Sequence, residues 1–250
     1  MSILEVFDGS EVLIDLKERI NDLLNNDFEV VKACDIVCRA TGEILKEYYK
    51  TSMTIIFPID IRGIVKYYNI HIYETNLNSG IGFRIEKING YYRKTKTGNH
   101  EINLENRDSE FTKRYILAHE FGHFIAAELL NQENSSMNSY CTDPFFPKRW
   151  MEIFSDLVAT FLMFPPIQLL SYLEKYTERM KYQNNYPIDS SAWLTDLGRK
   201  AQIPLYFTIS SYQYIKLYMC WLYNHQDSLE KIMEPCDVIK FKGDYKKFFK

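Results

Sequence analysis

Cysteine is sparse: the five in 250 residues, at 34, 38, 141, 220 and 236, form no Cys-x-x-Cys pair and no regular spacing. That leaves a disulfide framework or a cysteine metal site without support, and reduced thiols are the expectation. An excess of one charge is missing too. Lys+Arg 30 against Asp+Glu 33 gives a formal net charge of -3, so no global basic field points to nucleic acid or an anionic membrane. The longest apolar run, 157–170, is interrupted by Thr160, Pro165, Pro166 and Gln168 and is too short to cross a bilayer. Met1 to Val6 has neither a basic stretch nor a long apolar one, so no secretory signal is expected. No internal repeat or low-complexity tract stands out. These absences predict a cytoplasmic protein without membrane contact, whose partners are other proteins. The length suffices for a sizeable core in one or two domains.

Histidine is scarce as well, yet two of the five fall in His119-Glu120-Phe121-Gly122-His123. A chance match to this pattern has odds of about one in a hundred at this composition. Leu117, Phe121, Phe124 and Ile125 recur at helical spacing, so His119 and His123 share a different face and both rings can reach one ion. Glu120, one residue round the helix, is placed to handle the metal's water rather than the metal, as a general base should.

Catalytic zinc usually takes three protein ligands. Glu152 is the candidate for the third. It opens Glu152-Ile153-Phe154-Ser155-Asp156, 29 residues after His123 (152 minus 123), in an apolar-periodic segment continuing through Leu157, Phe161 and Leu162. Glu152 and Asp156 are again i and i+4. One helix can therefore offer a carboxylate to the metal and a second to the ring N–H of a liganding histidine. Alone, such a pair is more often solvated; beside the His pair, the ligand reading is preferred.

Glu-x-x-Ser-Asp following His-Glu-x-x-His resembles the thermolysin-type gluzincin arrangement, and the wider context is similar to the ImmA/IrrE family of bacterial and phage metallopeptidases. The resemblance runs from about Phe57 to Pro165. It is carried by Phe57-Pro58-Ile59-Asp60-Ile61, Tyr68-Asn69-Ile70-His71-Ile72, Asn89-Gly90-Tyr91-Tyr92 and Glu101-Ile102-Asn103. Lys113 to Ala118 leads into His119 as the family's Arg-Phe-x-x-Ala-His-Glu segment does, and Ala159 to Pro165 resembles its Ala-x-x-Leu-Leu-Met-Pro end. The chain departs from the family in having Ser155-Asp156 for Ala-Asn, and in Phe164 before the proline. Neither departure removes a ligand.

The predicted fold is α+β, a zincin-like metallopeptidase core with a small antiparallel or mixed sheet and an active-site helix, extended by helices at both ends. The expected division is 1–52, a helical extension; 53–170, the catalytic core; and 171–250, a helical region. Val12 to Leu24 marks one amphipathic helix and Val30 to Tyr49 a second, interrupted near Thr41-Gly42. Their expected place is a layer packed over the core. Pro58 suits the first turn of a helix ending near Tyr68. Ile70 to Glu74, Gly82 to Glu86, Tyr91 to Lys94 and Glu101 to Leu104 read as strands, and one of the last three should form the rim that pairs with substrate backbone.

Tyr140, in the polar loop 131–148, and His71, His100 and His225 are weak candidates for stabilising the oxyanion. After Pro166 the chain reads as two helices joined at Ile203-Pro204. A DNA-reading helix-turn-helix is disfavoured, because Lys216 is the lone basic residue between Ile209 and Leu222. The Lys-rich segment from Lys240 to Lys250 reads as a solvated tail.

The predicted activity is a zinc-dependent endopeptidase with His119, His123 and Glu152 on one zinc ion, Glu120 as the base and Asp156 behind a ligand. The resemblance implies that its substrate is a specific intracellular protein, a helix-turn-helix transcriptional repressor. The alternative is a metal-binding regulator that acts by binding a partner without proteolysis.

Overall fold

The computed structural model describes residues 30–50, 57–78, 88–129, 149–166, 168, 169, 171, 172, 175 and 190–224. The predicted helix over Val12 to Leu24, the strand over Gly82 to Glu86, Tyr140, His225 and the Lys240 to Lys250 tail lie outside the described residues.

Helix α1, Val30–Tyr49, opens the described chain. The predicted interruption at Thr41-Gly42 is not made. Thr41 Oγ1 instead donates to the Val37 carbonyl (2.9 Å), and Gly42 sits on the exposed side. A helical glycine costs about 1 kcal/mol, less than burying Ile44 and Leu45 on the opposite face returns, at about 1.5–3 kcal/mol each.

Helix α2, Ile61–Tyr67, begins three residues later than Pro58 suggests, because Asp60 caps it by accepting from the Gly63 N–H at 3.0 Å. Tyr48 of α1 donates to the other Asp60 oxygen at 2.8 Å and so ties the cap to α1.

Strands β1 (Ile70–Thr75), β2 (Gly90–Lys94) and β3 (His100–Glu105) form one sheet in the order β1-β3-β2, with β1 parallel and β2 antiparallel to β3. The fold is thus α+β with a mixed sheet, as predicted. Alternation puts Ile70, Tyr92, Ile102 and Leu104 on the buried face. At the far end Asn78 closes on Ile88: its Nδ2 donates to the Ile88 carbonyl and its Oδ1 accepts from the Ile88 N–H, both at 2.9 Å. Buried Glu105 holds this clasp, accepting from Asn78 Nδ2 (2.6 Å) and from Arg107 Nε (3.1 Å). Burial alone would raise the Glu105 carboxyl, but the hydrogen bonds from Arg107 and Asn78 outweigh it and hold it at about 2.

Helix α3 (Glu110–Leu129) packs on β2 and β3, and α4 (Arg149–Met163) packs on α3 and α1. Phe121, Phe124 and Ile125 of α3 and Phe154, Leu157 and Phe161 of α4 join one hydrophobic cluster. Lys113 fixes the start of α3: it is buried and donates to Glu74 of β1 (2.6 Å) and to Glu110 (3.0 Å), so its charge is paired where water is scarce.

Helices α5 (Ser190–Ala201) and α6 (Leu205–Asn224) complete the described chain. The turn expected at Ile203-Pro204 is there, with Gln202 at φ 57° and the Ile203 N–H bonded to the Gly198 carbonyl (2.9 Å). Helix α6 turns Thr208, Ser211, Ile215 and Tyr218 into the core against α1 and α4. Among the described residues no helix is long and apolar enough to cross a membrane.

Candidate metal centre

Helix α3 carries His119, Glu120 and His123, and α4 faces it with Glu152 and Asp156. The helices meet closely at this level because residue 122 is glycine. A Cβ there would lie 2.6 Å from Ser155 Cα, a backbone atom that cannot swing aside. His119 Nε2 and His123 Nε2 are 3.2 Å apart. Glu152 completes a triangle, with one oxygen 3.2 Å from His119 Nε2 and the other 3.5 Å from His123 Nε2. Three donors on one tetrahedral ion with bonds near 2.05 Å would be separated by about 3.3 Å. The donors therefore converge as a small cation requires, and two imidazoles with a carboxylate suit a divalent transition metal.

Asp156 Oδ1 lies 2.9 Å from His119 Nδ1. An ionised carboxylate can only accept, so Nδ1 carries a proton and Nε2 is turned toward His123 and Glu152, where a metal ion would take its lone pair. Glu120 is buried beside the pair, its donor atom within 4.8 Å of those of His119 and His123. Its Oε2 is buried and has no hydrogen-bond partner among the described residues, an arrangement that is costly unless something else uses that atom.

Exposure divides the site into a closed wall and an open one. The His123 side chain is 6% and the His119 side chain 15% exposed, against 40% for Glu152 and 37% for Asp156, so solvent enters from the α4 side. Burial works against charge on His119, but the bonds to Asp156 and Glu152 outweigh it and raise the ring to about 10. Burial likewise opposes charge on Glu152, and the two imidazoles hold it well below the usual carboxylate range. In the metal-free chain a proton on His119 thus balances the carboxylates, holding the place of a cation.

The peptidase family described as the IrrE N-terminal-like domain matches residues 65–184. Residues 65–184 thus match the ImmA/IrrE family. This family is one of metallopeptidases, and the match starts later and runs further than the motif resemblance from Phe57 to Pro165. No curated protein matches the chain. Within this ImmA/IrrE segment, Ser155 and Asp156, the departures from the usual Ala-Asn, take up distinct places: Ser155 packs on Gly122 and Asp156 bonds His119. Phe164 is buried, 6.4 Å from the Phe57 ring.

Of the weak oxyanion candidates, the two among the described residues, His71 and His100, do not face the centre. His71 is exposed on β1. His100 turns to Tyr92, whose hydroxyl is 2.8 Å from its Nδ1, and to Phe124 and Glu128. Tyr140 and His225 lie outside the described residues.

The sequence left the choice of rim strand open among Gly82 to Glu86, Tyr91 to Lys94 and Glu101 to Leu104. Of the strands considered for the rim, β3 has neighbours on both sides, whereas β2 is an outer strand among the described residues. It runs along α3 from Gly90, beside Ile116, to Lys94, which donates to Glu128 at 2.9 Å, and so brackets both histidines. The Asn89 carbonyl accepts from Glu105 of β3 and the Thr95 N–H donates to Asn99 just before β3, which leaves the backbone groups of Gly90, Tyr92 and Lys94 pointing to the other edge.

Proposed function

We propose that the chain is a zinc-dependent endopeptidase, with His119, His123 and Glu152 as the ligands and Glu120 as the general base. The triangle of donors 3.2–3.5 Å apart carries the reading. Zinc at this point would supply Lewis-acid polarisation of the scissile carbonyl and acidify water. Glu120 takes a proton from the attacking water and passes it to the leaving amine, a use for its unpartnered buried oxygen. Asp156 keeps His119 in the tautomer that binds. An extended substrate adds as a strand along Gly90, Tyr92 and Lys94, its backbone satisfying theirs over α3.

The substrate we infer is a helix-turn-helix transcriptional repressor in the cytoplasm, an inference supported by family resemblance alone. Buried free thiols at Cys34 and Cys38 are compatible with that compartment.

Glu120→Gln tests the reading, because it is nearly isosteric and removes only the base. Zinc content and repressor binding should persist while cleavage on a gel falls by about two to four orders of magnitude. Relief of repression by Glu120→Gln equal to that of the native chain would sink proteolysis and leave the binding-only regulator.

A further inference from the structure

Helices α3 and α4 pair in an antiparallel series of rungs. His123 meets Glu152; one turn back along α3 and one turn on along α4, His119 meets Asp156. The next step, four residues further on each helix, brings Tyr115 to Thr160. Both are buried, hydrogen-bonded to each other, and joined by the buried Ser211 of α6, whose Oγ accepts from Thr160 Oγ1 at 3.1 Å. Phe207, one turn earlier on α6, stacks on the Tyr115 ring with centroids 3.9 Å apart and planes 15° from parallel.

Three hydroxyls thus meet away from water, one helical turn along α3 from His119 and one along α4 from Asp156, whose side chain is 37% exposed. Burial and then the Asp156 charge push the Tyr115 phenol above its ordinary pKa, so the hydroxyl keeps its proton and feels that carboxylate. The Asp156 carboxylate is held by His119 on one side and reached by water on the other, so dipoles behind it on α3 and α4 bear on the orientation in which it meets the ring.

We propose that Tyr115, Thr160 and Ser211 are positioning residues of the metal centre: a buried hydroxyl rung, anchored on α6, that orients the Asp156 carboxylate and through it the His119 ring. The proposal rests on the reading of His119 as a ligand. It makes the C-terminal helix part of the site's geometry without any atom of α6 touching the donors.

Tyr115→Phe keeps the ring and its stack on Phe207 and removes one hydroxyl. The measurements are zinc affinity by competition with a chromophoric chelator, the His119 Nδ1–H resonance of the metal-free chain, and metal-free thermal unfolding. Zinc affinity should fall about tenfold, at the lower end of what a lost partner behind a ligand costs. The Nδ1–H resonance should shift or broaden. Both changes should vanish when the same substitution is made in an Asp156→Asn background, where the charge to be oriented is gone. If Tyr115→Phe lowers the unfolding midpoint enough to obscure the result, Ser211→Ala is read in its place, with the same direction expected.

Unchanged affinity and resonance would overturn the proposal, as would equal losses in both backgrounds, which would make the effect one of packing. If the native chain holds no zinc while the resonance still responds to Tyr115→Phe, the rung stands and the metal reading falls. If the resonance does not respond, the rung falls whatever the zinc result.

Discussion

His119 is the residue on which the site turns, since it alone bonds both carboxylates of α4. Its pKa is raised from 6.5 to about 10 in the metal-free chain. The stabilisation from that bound proton is fully present below 6.5 and is lost as pH climbs through about 10. A metal ion needs the Nε2 lone pair, so loading at pH 7 should expel close to one proton from His119. Calorimetric titration with zinc in two buffers of different ionisation enthalpy measures this. Equal heats in both buffers would show that His119 is already neutral. The His pair, Glu120, Glu152 and Asp156 were legible from sequence because i and i+4 positions share a helix face whatever else the chain does. Tyr115, Thr160 and Ser211 were not. An aromatic residue and two hydroxyls carry no motif, and they meet only once three helices have docked.

At the scale of elements, the meeting of α3 with α4 depends on a side chain that is absent. Gly122→Ala places a Cβ 2.6 Å from Ser155 Cα. Alanine returns about 1 kcal/mol of helix propensity, but overpacking against backbone costs about 1–3 kcal/mol, and with no flexible atom to yield, the clash wins. A lower thermal midpoint is expected, together with weaker zinc retention, because the His and Glu donors are pried apart. A midpoint at or above that of the native chain would show that the helices have room to spare. Sequence periodicity located both helices, yet not the register between them, because their contacts join residues about 30 or more apart in sequence and are set by shape. The same limit applies to β2. Its strand character is local, while its outer position depends on β1 pairing in parallel with β3 across the intervening chain.

For the molecule as a whole, α1 and α6 are structural partners of the site helices: both pack on α4, and Tyr218 of α6 donates to Asp35 of α1 at 3.3 Å. Cys34 and Cys38 lie in this seam. Burial above all pushes each thiol up to about 12, so at pH 8 the reactive thiolate is on the order of one part in ten thousand. Iodoacetamide should leave both unmodified in the native chain and label them on unfolding, as read by peptide mass spectrometry. Labelling of either at the rate of an exposed thiol would mean that α1 detaches while the rest stays folded. The seam was half legible: amphipathic spacing marked α1, while its continuity through Thr41-Gly42 followed from packing that no local rule supplies. The clasp of Asn78 on Ile88 bears on how such a protein can diversify. Because Asn78 and Ile88 are joined directly and held by Glu105, the geometry of β1 and β2 does not depend on the length of chain between them, and closing a longer loop costs only about 0.6 kcal/mol for each doubling. Descendants of this sequence can therefore vary in length between the two clasped residues while the site helices inherit an unchanged frame.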